Sequence, residues 1–221
     1  MNYALIKEVV ELVEQFETQN KNNPGYSNDV NGFKEWVAAS LENSYDDAEP
    51  DWEGKKDGRS AESVINTLIV HMNRYAKSYS KAAIHDSMFS SQEDFIYLIT
   101  LKSFGAMSKT ELIKINVHDK PAGIQIINRL IHQGWAEQSD SDTDKRTKVI
   151  KITEKGLKIL EDRMDKIRQA SQIVTGDLTH KEKMKLIDLL SKLNHFHHSI
   201  YCKNLDSKEL LEVAYSHLNK N

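Results

Sequence analysis

The stretch from Ser139 to Gly156, SDSDTDKRTKVIKITEKG, holds the residues best suited to meeting an anion. Asp144, Lys145 and Arg146 sit at the tip of a polar run, ahead of an alternating segment and a helix start at Thr153. Most charged hairpin tips are simply solvated, so the meaning of this one depends on its surroundings. Those surroundings are basic. Residues 102–158 carry eleven Lys and Arg against seven Asp and Glu, net +4, while residues 1–61 carry six against thirteen, net −7. The whole-chain charge of −3 averages over this asymmetry.

Other chemically suggestive groups lead nowhere by spacing. His195 and His198 share a helical face beside Phe196 and His197, but zinc wants further Cys, His or carboxylate ligands, and the sequence has no CxxC or HExxH. No metal and no cofactor is expected. The single cysteine, Cys202, excludes an intrachain disulfide and fits a reducing compartment. Lys203 is its only adjacent charge in sequence, which argues against redox sensing. There is no G-x-S-x-G, G-x-x-x-x-G-K-[ST] or G-x-G-x-x-G, and the pair Asp46-Asp47 lies in a turn-rich acidic loop. An enzyme is not expected. The amphipathic N-terminus lacks the form of a signal peptide, and no apolar run reaches the ~18 residues of a membrane span. The expected location is the cytoplasm.

The elements that must position the basic segment are mostly helices. With 39% hydrophobic residues, three prolines and nine glycines, the chain reads as mostly α. Helices are predicted at 3–18 and 31–43, burying Phe33, Trp36, Val37 and Leu41 in the second, followed by an acidic linker at 45–59. A long helix over 61–85 carries the stripe Val64, Ile65, Leu68, Met72, Tyr75 and Tyr79. Capping boxes at Ser90–Glu93 and Ser108–Glu111 start the next two helices. Asp119 and Pro121 open a third, ending at Gly134, with Ile124, Ile127, Leu130 and Ile131 inward. The two helices joined by INVHD have helix-turn-helix spacing. Strands are predicted at 135–138 and 147–153 around the polar loop, then helices at 156–174 and 180–202, the latter behind a Thr179–Glu182 box. A short amphipathic piece at 207–217 ends the pattern.

This order of elements, over roughly residues 61–202, resembles the MarR family (multiple antibiotic resistance regulator) of winged helix-turn-helix transcription factors. The specific pieces are D-x-R in the wing, here Asp144-Lys145-Arg146, and the following L-T-E-x-G, here Ile152-Thr153-Glu154-Lys155-Gly156. INRLIHQGW likewise resembles the end of the family's recognition helix and the strand after it. The resemblance implies a mostly α fold with a small two- or three-stranded β wing. It implies a winged helix-turn-helix at 90–153 and a helical dimerisation lobe from 61–85, 156–174 and 180–202. Residues 1–60 form an acidic helical extension with a linker, and 203–221 a short helical tail. Leu178, Ile187, Leu190 and Leu193 are candidates for the dimer face or for an intrachain core.

The resemblance also implies a function: a bacterial regulator, usually a repressor, that binds a pseudo-palindromic DNA site as a homodimer and is often released by a small aromatic anion. In physical terms, Lys145 and Arg146 would reach the minor groove, with Asp144 structuring the wing by holding a cation. On the recognition helix, Lys120, Pro121, Ala122 and Gln125 face the major groove, with Gln125 able to pair with adenine and Ala122 to touch a thymine methyl. Ser108, Lys109 and Thr110 suit phosphates. Arg129 reads equally as a phosphate ligand or as an ion pair with the wing. Met72, Tyr75, Tyr79 and Phe95 either line an effector crevice or belong to the core. Gly123 departs from the family, which usually has a larger residue there; it either lets the backbone approach DNA or loosens the helix. The competing class is a winged-helix module that binds protein without reading DNA.

Overall fold

The computed structural model describes residues 3–22, 24–46, 49–140 and 148–219, and the chain divides into two compact units, Met1–Ile65 and Asn66–Asn221. In the first unit α1 (Tyr3–Asn22) and α2 (Val30–Asp46) pair through aromatic rings. Phe16 meets Phe33 and Trp36 at centroid distances of 5.6 and 5.7 Å, and the Trp36 indole N–H donates to Gln19 Oε1 at 2.9 Å. Side chains fix the connection. Asn20 Oδ1 accepts from the amides of Gly25 and Tyr26, and Asp29 accepts from those of Asn31 and Gly32. The segment expected as a linker is folded in its second half. Trp52 Nε1 donates to the Arg59 carbonyl, and the Lys55 ammonium lies 4.3 Å above the same indole.

The second unit is built around α4 (Gln92–Phe104), α5 (Lys109–Ile115), α6 (Lys120–His132) and the strands β1 (Ala136–Asp140) and β2 (Lys148–Ile152). The strands pair antiparallel, Ala136 opposite Ile152 and Asp140 opposite Lys148. Met107 adds a single bridge to Ile150, exchanging both backbone hydrogen bonds. The wing therefore has two strands and the beginning of a third. Phe89, Phe95, Leu98, Leu112, Ile127, Leu130, Trp135, Ile150 and Leu160 form one buried cluster beneath it. Removing side chains of this size from water is the main stabilising term for the unit.

The remaining helices are α3 (Ala61–Ala83), α7 (Glu154–Glu161), α8 (Met164–Val174), α9 (His180–Tyr201) and α10 (Ser207–Leu218). One helix was expected over 156–174; there are two, parted at Asp162–Arg163 with neither Pro nor Gly to mark the break. Each half follows its own packing. Leu160 of α7 is fully buried, whereas α8 turns Ile167 and Ala170 inward. Arg163, at the joint, donates to the Asp86 carbonyl at 2.7 Å. The first capping box is also shifted by one residue. Asp94, not Glu93, accepts from the amides of Ser90 and Ser91, because the Glu93 carboxylate is turned to His118 instead.

The outer helices stay apolar toward water. On α3, Ile65, Leu68, Met72 and Tyr75 are exposed; on α9, Ile187, Leu189, Leu190 and Leu193; on α10, Leu211 and Tyr215. Phe95, by contrast, is buried against Phe89. The four residues considered for an effector crevice therefore do not form one surface: Met72, Tyr75 and Tyr79 are exposed on α3, and Phe95 belongs to the core of the winged region.

Candidate nucleic-acid interface

The helix-turn-helix starts at Ser108, whose hydroxyl accepts from the Glu111 amide while Glu111 Oε2 accepts from the Ser108 amide at 2.9 Å. The hydrogen bond from the Ser108 amide, then one from the Ser108 side chain, hold the Glu111 carboxyl below the ordinary carboxylate range. The Ser108 hydroxyl and amide are thus engaged in the cap. Thr110 is exposed and Lys109 half-exposed at the same end.

The recognition helix α6 begins as the sequence suggests. Asp119 caps it by accepting from the Ala122 amide at 2.9 Å, with Pro121 in the first turn. Its inner face is Gly123, Ile126, Ile127 and Leu130, with Ile124 and Ile131 half-buried. Gly123 does not face outward: a Cβ there would lie 2.4 Å from Ile113 Cγ1. The glycine is what lets α5 and α6 approach so closely. Lys120, Pro121 and Gln125 are exposed and Ala122 half-buried, so the expected readers share the outer face. That face continues through Asn128 and His132, also exposed. Neither was anticipated, although the i, i+4, i+7, i+11 spacing from Pro121 carries the signal.

Arg129 turns the other way. Its Nε donates to Asp94 Oδ1 at 2.7 Å and Nη2 reaches Ser91 Oγ at 3.3 Å. Asp94 is wholly buried, so the pair fastens the last turn of α6 to the first turn of α4. The sequence left open a phosphate contact or an ion pair with the wing; among the described residues the partner is on α4.

In the wing, Glu137 pairs with Lys151 at 3.0 Å and Asp140 with Lys148. Both pairs are cross-strand neighbours on the stem, so these two lysines already have carboxylate partners. Asp144, Lys145 and Arg146 lie outside the described residues. After the wing, Thr153 does two jobs: its hydroxyl donates to the Gly134 carbonyl at 2.7 Å and accepts from the Gly156 amide at 3.0 Å. Gly156 is constrained too, because a Cβ there would lie 2.0 Å from the Trp135 carbonyl oxygen. The T-E-x-G motif is thus the joint at which the wing's return strand meets a helix start against the strand's own origin.

Residues 89–156 match a family model described as a winged helix DNA-binding domain. The HTH-type transcriptional repressor NicR of Pseudomonas putida is 27% identical over 132 residues, covering 60% of this chain and 82% of NicR. The multiple antibiotic resistance protein MarR of Salmonella typhimurium is 31% identical over 100 residues, covering 45% of this chain and 69% of that protein. The chain belongs to the MarR family. Its winged helix-turn-helix is a DNA-binding domain, and these MarR-family relatives are transcriptional regulators rather than enzymes. The fold agrees with MarR-family crystal structures. BpsR of Bordetella bronchiseptica, whose DNA binding is regulated by 6-hydroxynicotinic acid, superposes with TM-score 0.55 at 20% identity over 66% of this chain and 98% of its own. A mutant MarR of E. coli complexed with operator DNA gives 0.54 at 23%, over 65% and 99%.

No group of three or more metal-ligating side chains occurs among the described residues, and no described helix is long and apolar enough to cross a membrane. Cys202 Sγ lies 3.4 Å from His198 Nε2, one helical turn back.

Proposed function

We propose that the chain is a cytoplasmic, homodimeric repressor that reads a pseudo-palindromic operator and is released by a small aromatic ligand. The observation that carries this reading is the outer face of α6. Lys120, Gln125 and Asn128 are exposed on a helix whose opposite face is packed into the core, which supports a rigid element presenting polar side chains for DNA reading. In this reading Gln125 contacts adenine, Ala122 a thymine methyl, Lys109 and Thr110 the phosphates, and Lys145 and Arg146 the minor groove beside the site, while Ser108, engaged with Glu111, serves as the helix cap. Asp144 orders the wing tip. Arg129 acts by holding the helix rather than by touching DNA, since its guanidinium is already occupied by Asp94.

The exposed apolar faces of α3, α9 and α10 support the dimer. So many large apolar side chains exposed on three helices favour a second copy as their cover, and that copy would bring two recognition helices about one DNA turn, ~34 Å, apart. Control by an aromatic ligand is supported by BpsR, whose DNA binding is regulated by 6-hydroxynicotinic acid, and Met72, Tyr75 and Tyr79 offer exposed ring and thioether surface for such a ligand on α3.

The test is selection of bound sequences from a random duplex library at two salt concentrations. Enrichment of a pseudo-palindrome with half-sites one turn apart, bound less tightly as salt rises, is the expected result. Arg146→Ala should then weaken binding to every sequence, while Gln125→Ala should relax preference at one base position by about 1–3 kcal/mol. Failure to enrich any sequence at low salt without ligand would overturn the reading in favour of a protein-binding winged module.

A further inference from the structure

The turn between α5 and α6 is built in an unusual way. It closes α5 with the two backbone bonds of a Schellman ending, Val117 N–H to the Lys114 carbonyl and His118 N–H to the Ile113 carbonyl. The residue at the left-handed position of that ending is ordinarily glycine or asparagine; here it is Val117, at φ 53°. A β-branched side chain in that region is strained, and Val117 is exposed, so its side chain gains little burial in return. Such a conformation persists only where the surroundings over-determine it.

The surroundings do so from two sides. From α4, Tyr97 Oη lies 3.2 Å from His118 Nδ1, and the Glu93 carboxylate lies 3.5 Å from His118 Nε2. The Thr100 hydroxyl donates to Asn116 Oδ1, while the Asn116 amide donates to the Leu112 carbonyl. From α9, the Tyr201 hydroxyl donates to the main-chain carbonyl of His118 at 2.6 Å. Burial first, then Cys202 and Asp119, hold the Tyr201 phenol above its ordinary titration range, so it remains a donor at neutral pH. His118 is followed directly by Asp119, the cap of the recognition helix.

We propose that Tyr201 is a positioning residue for DNA reading: by holding the His118 carbonyl, the last turn of α9 sets the entry of the recognition helix across the strained Val117 turn. This rests on α6 being the DNA reader. It adds a route by which the lobe containing α9 acts on the reading head, through one hydroxyl and one carbonyl rather than through the wing. A shift of the end of α9 by more than the length of a hydrogen bond would release a turn that its own backbone preference does not maintain.

The experiment compares wild type, Tyr201→Phe, Val117→Gly and the double variant, on the duplex selected above and on a scrambled duplex. Tyr201→Phe keeps the ring and removes only the donor. It should weaken binding to the selected duplex roughly 3- to 10-fold, the scale of one lost hydrogen bond. The scrambled duplex and the salt slope should not change, because the phosphate contacts are untouched. Val117→Gly removes the strain, so in that background Tyr201→Phe should cost less than about 2-fold. Amide exchange at His118 to Gly123, without DNA, should quicken in Tyr201→Phe and not in the double variant. An equal cost in both backgrounds, an equal loss on both duplexes, or no loss at all overturns the positioning role. If wild type binds neither duplex, the reading of α6 has itself failed, which the Tyr201 comparison then shows separately from any change in exchange.

Discussion

Replacing Gly123 by alanine sets two well-understood effects against each other. In a helix interior alanine is favoured over glycine by about 1 kcal/mol, so an ordinary site would gain stability. Here the added methyl would meet Ile113 Cγ1 at 2.4 Å and its Cδ1 and Cγ2 at 3.0 Å. Comfortable carbon contacts lie at about 3.5–4.0 Å. Ile113 is 5% exposed and β-branched, with one strongly preferred rotamer in a helix, so it does not swing aside. α5 and α6 must therefore separate by about an ångström, and overpacking of this kind costs about 1–3 kcal/mol. The net expectation is a loss of up to about 2 kcal/mol despite the better helix former. Urea denaturation of wild type, Gly123→Ala, Ile113→Ala and the double variant measures it. Ile113→Ala alone should cost about 2–5 kcal/mol, and in that background Gly123→Ala should turn favourable, because its methyl enters the space left by the isoleucine. Stabilisation of the wild-type background by about 1 kcal/mol would refute the close-packing argument and leave helix propensity as the whole effect.

Arg129→Met should destabilise the winged unit by about 3 kcal/mol, because it strands the fully buried Asp94 carboxylate with only two amide donors; Asp94→Asn in the same chain should recover part of that, and a loss under about 1 kcal/mol in urea titration would argue against the buried lock. The capping carboxylates Glu111 and Glu182 titrate below their usual value of 4.5, each through hydrogen bonds to its own cap residue. Their contribution is therefore present above pH 4.5 and lost as pH falls through the lowered folded value, so Glu111→Gln should be less stable than wild type at neutral pH and converge with it in acid. Denaturation curves at several pH values check this, and a gap of constant size down to about pH 2 would contradict it. Leu190→Glu should give a monomer in sedimentation and remove the concentration dependence of the melting temperature; a variant that sediments as the wild type does would reject the α9 face as the dimer contact.

The helix caps were legible because each is a local bargain between a short polar side chain and amides three residues away. Ser108 with Glu111, Thr179 with Glu182, and Asp119 all stand where their spacing puts them. The wing was legible for a similar reason: polar loop, alternating strand and T-E-x-G are contiguous. What the sequence hides is mutual positioning. Asp94 and Arg129 are far apart in the chain, and nothing local shows that the carboxylate one place beyond the expected cap would be claimed by the recognition helix. The same holds for Gly123, whose purpose lies in Ile113 on another helix, and for Phe95, which shares its aromatic character with Tyr75 and Tyr79 but not its surroundings. The break at Asp162–Arg163 follows from the different packing of two halves that read as one amphipathic run. The left-handed Val117 contradicts its own side chain, so only contacts from α4 and α9 account for it.

The charge-matched stem of the wing has an evolutionary consequence. Register pairing from Ala136–Ile152 to Asp140–Lys148 fixes both ends of the tip, and the stem's own charges cancel across the strands. The stem that carries the segment between Asp140 and Lys148 is therefore held by its own backbone register and its own charge pairs. Lengthening such a segment is cheap, since doubling a loop costs only about 0.6 kcal/mol in closure entropy. If the tip residues grip DNA as proposed, a descendant lineage could retune that grip by exchanging them while the stem pairs stay under separate selection.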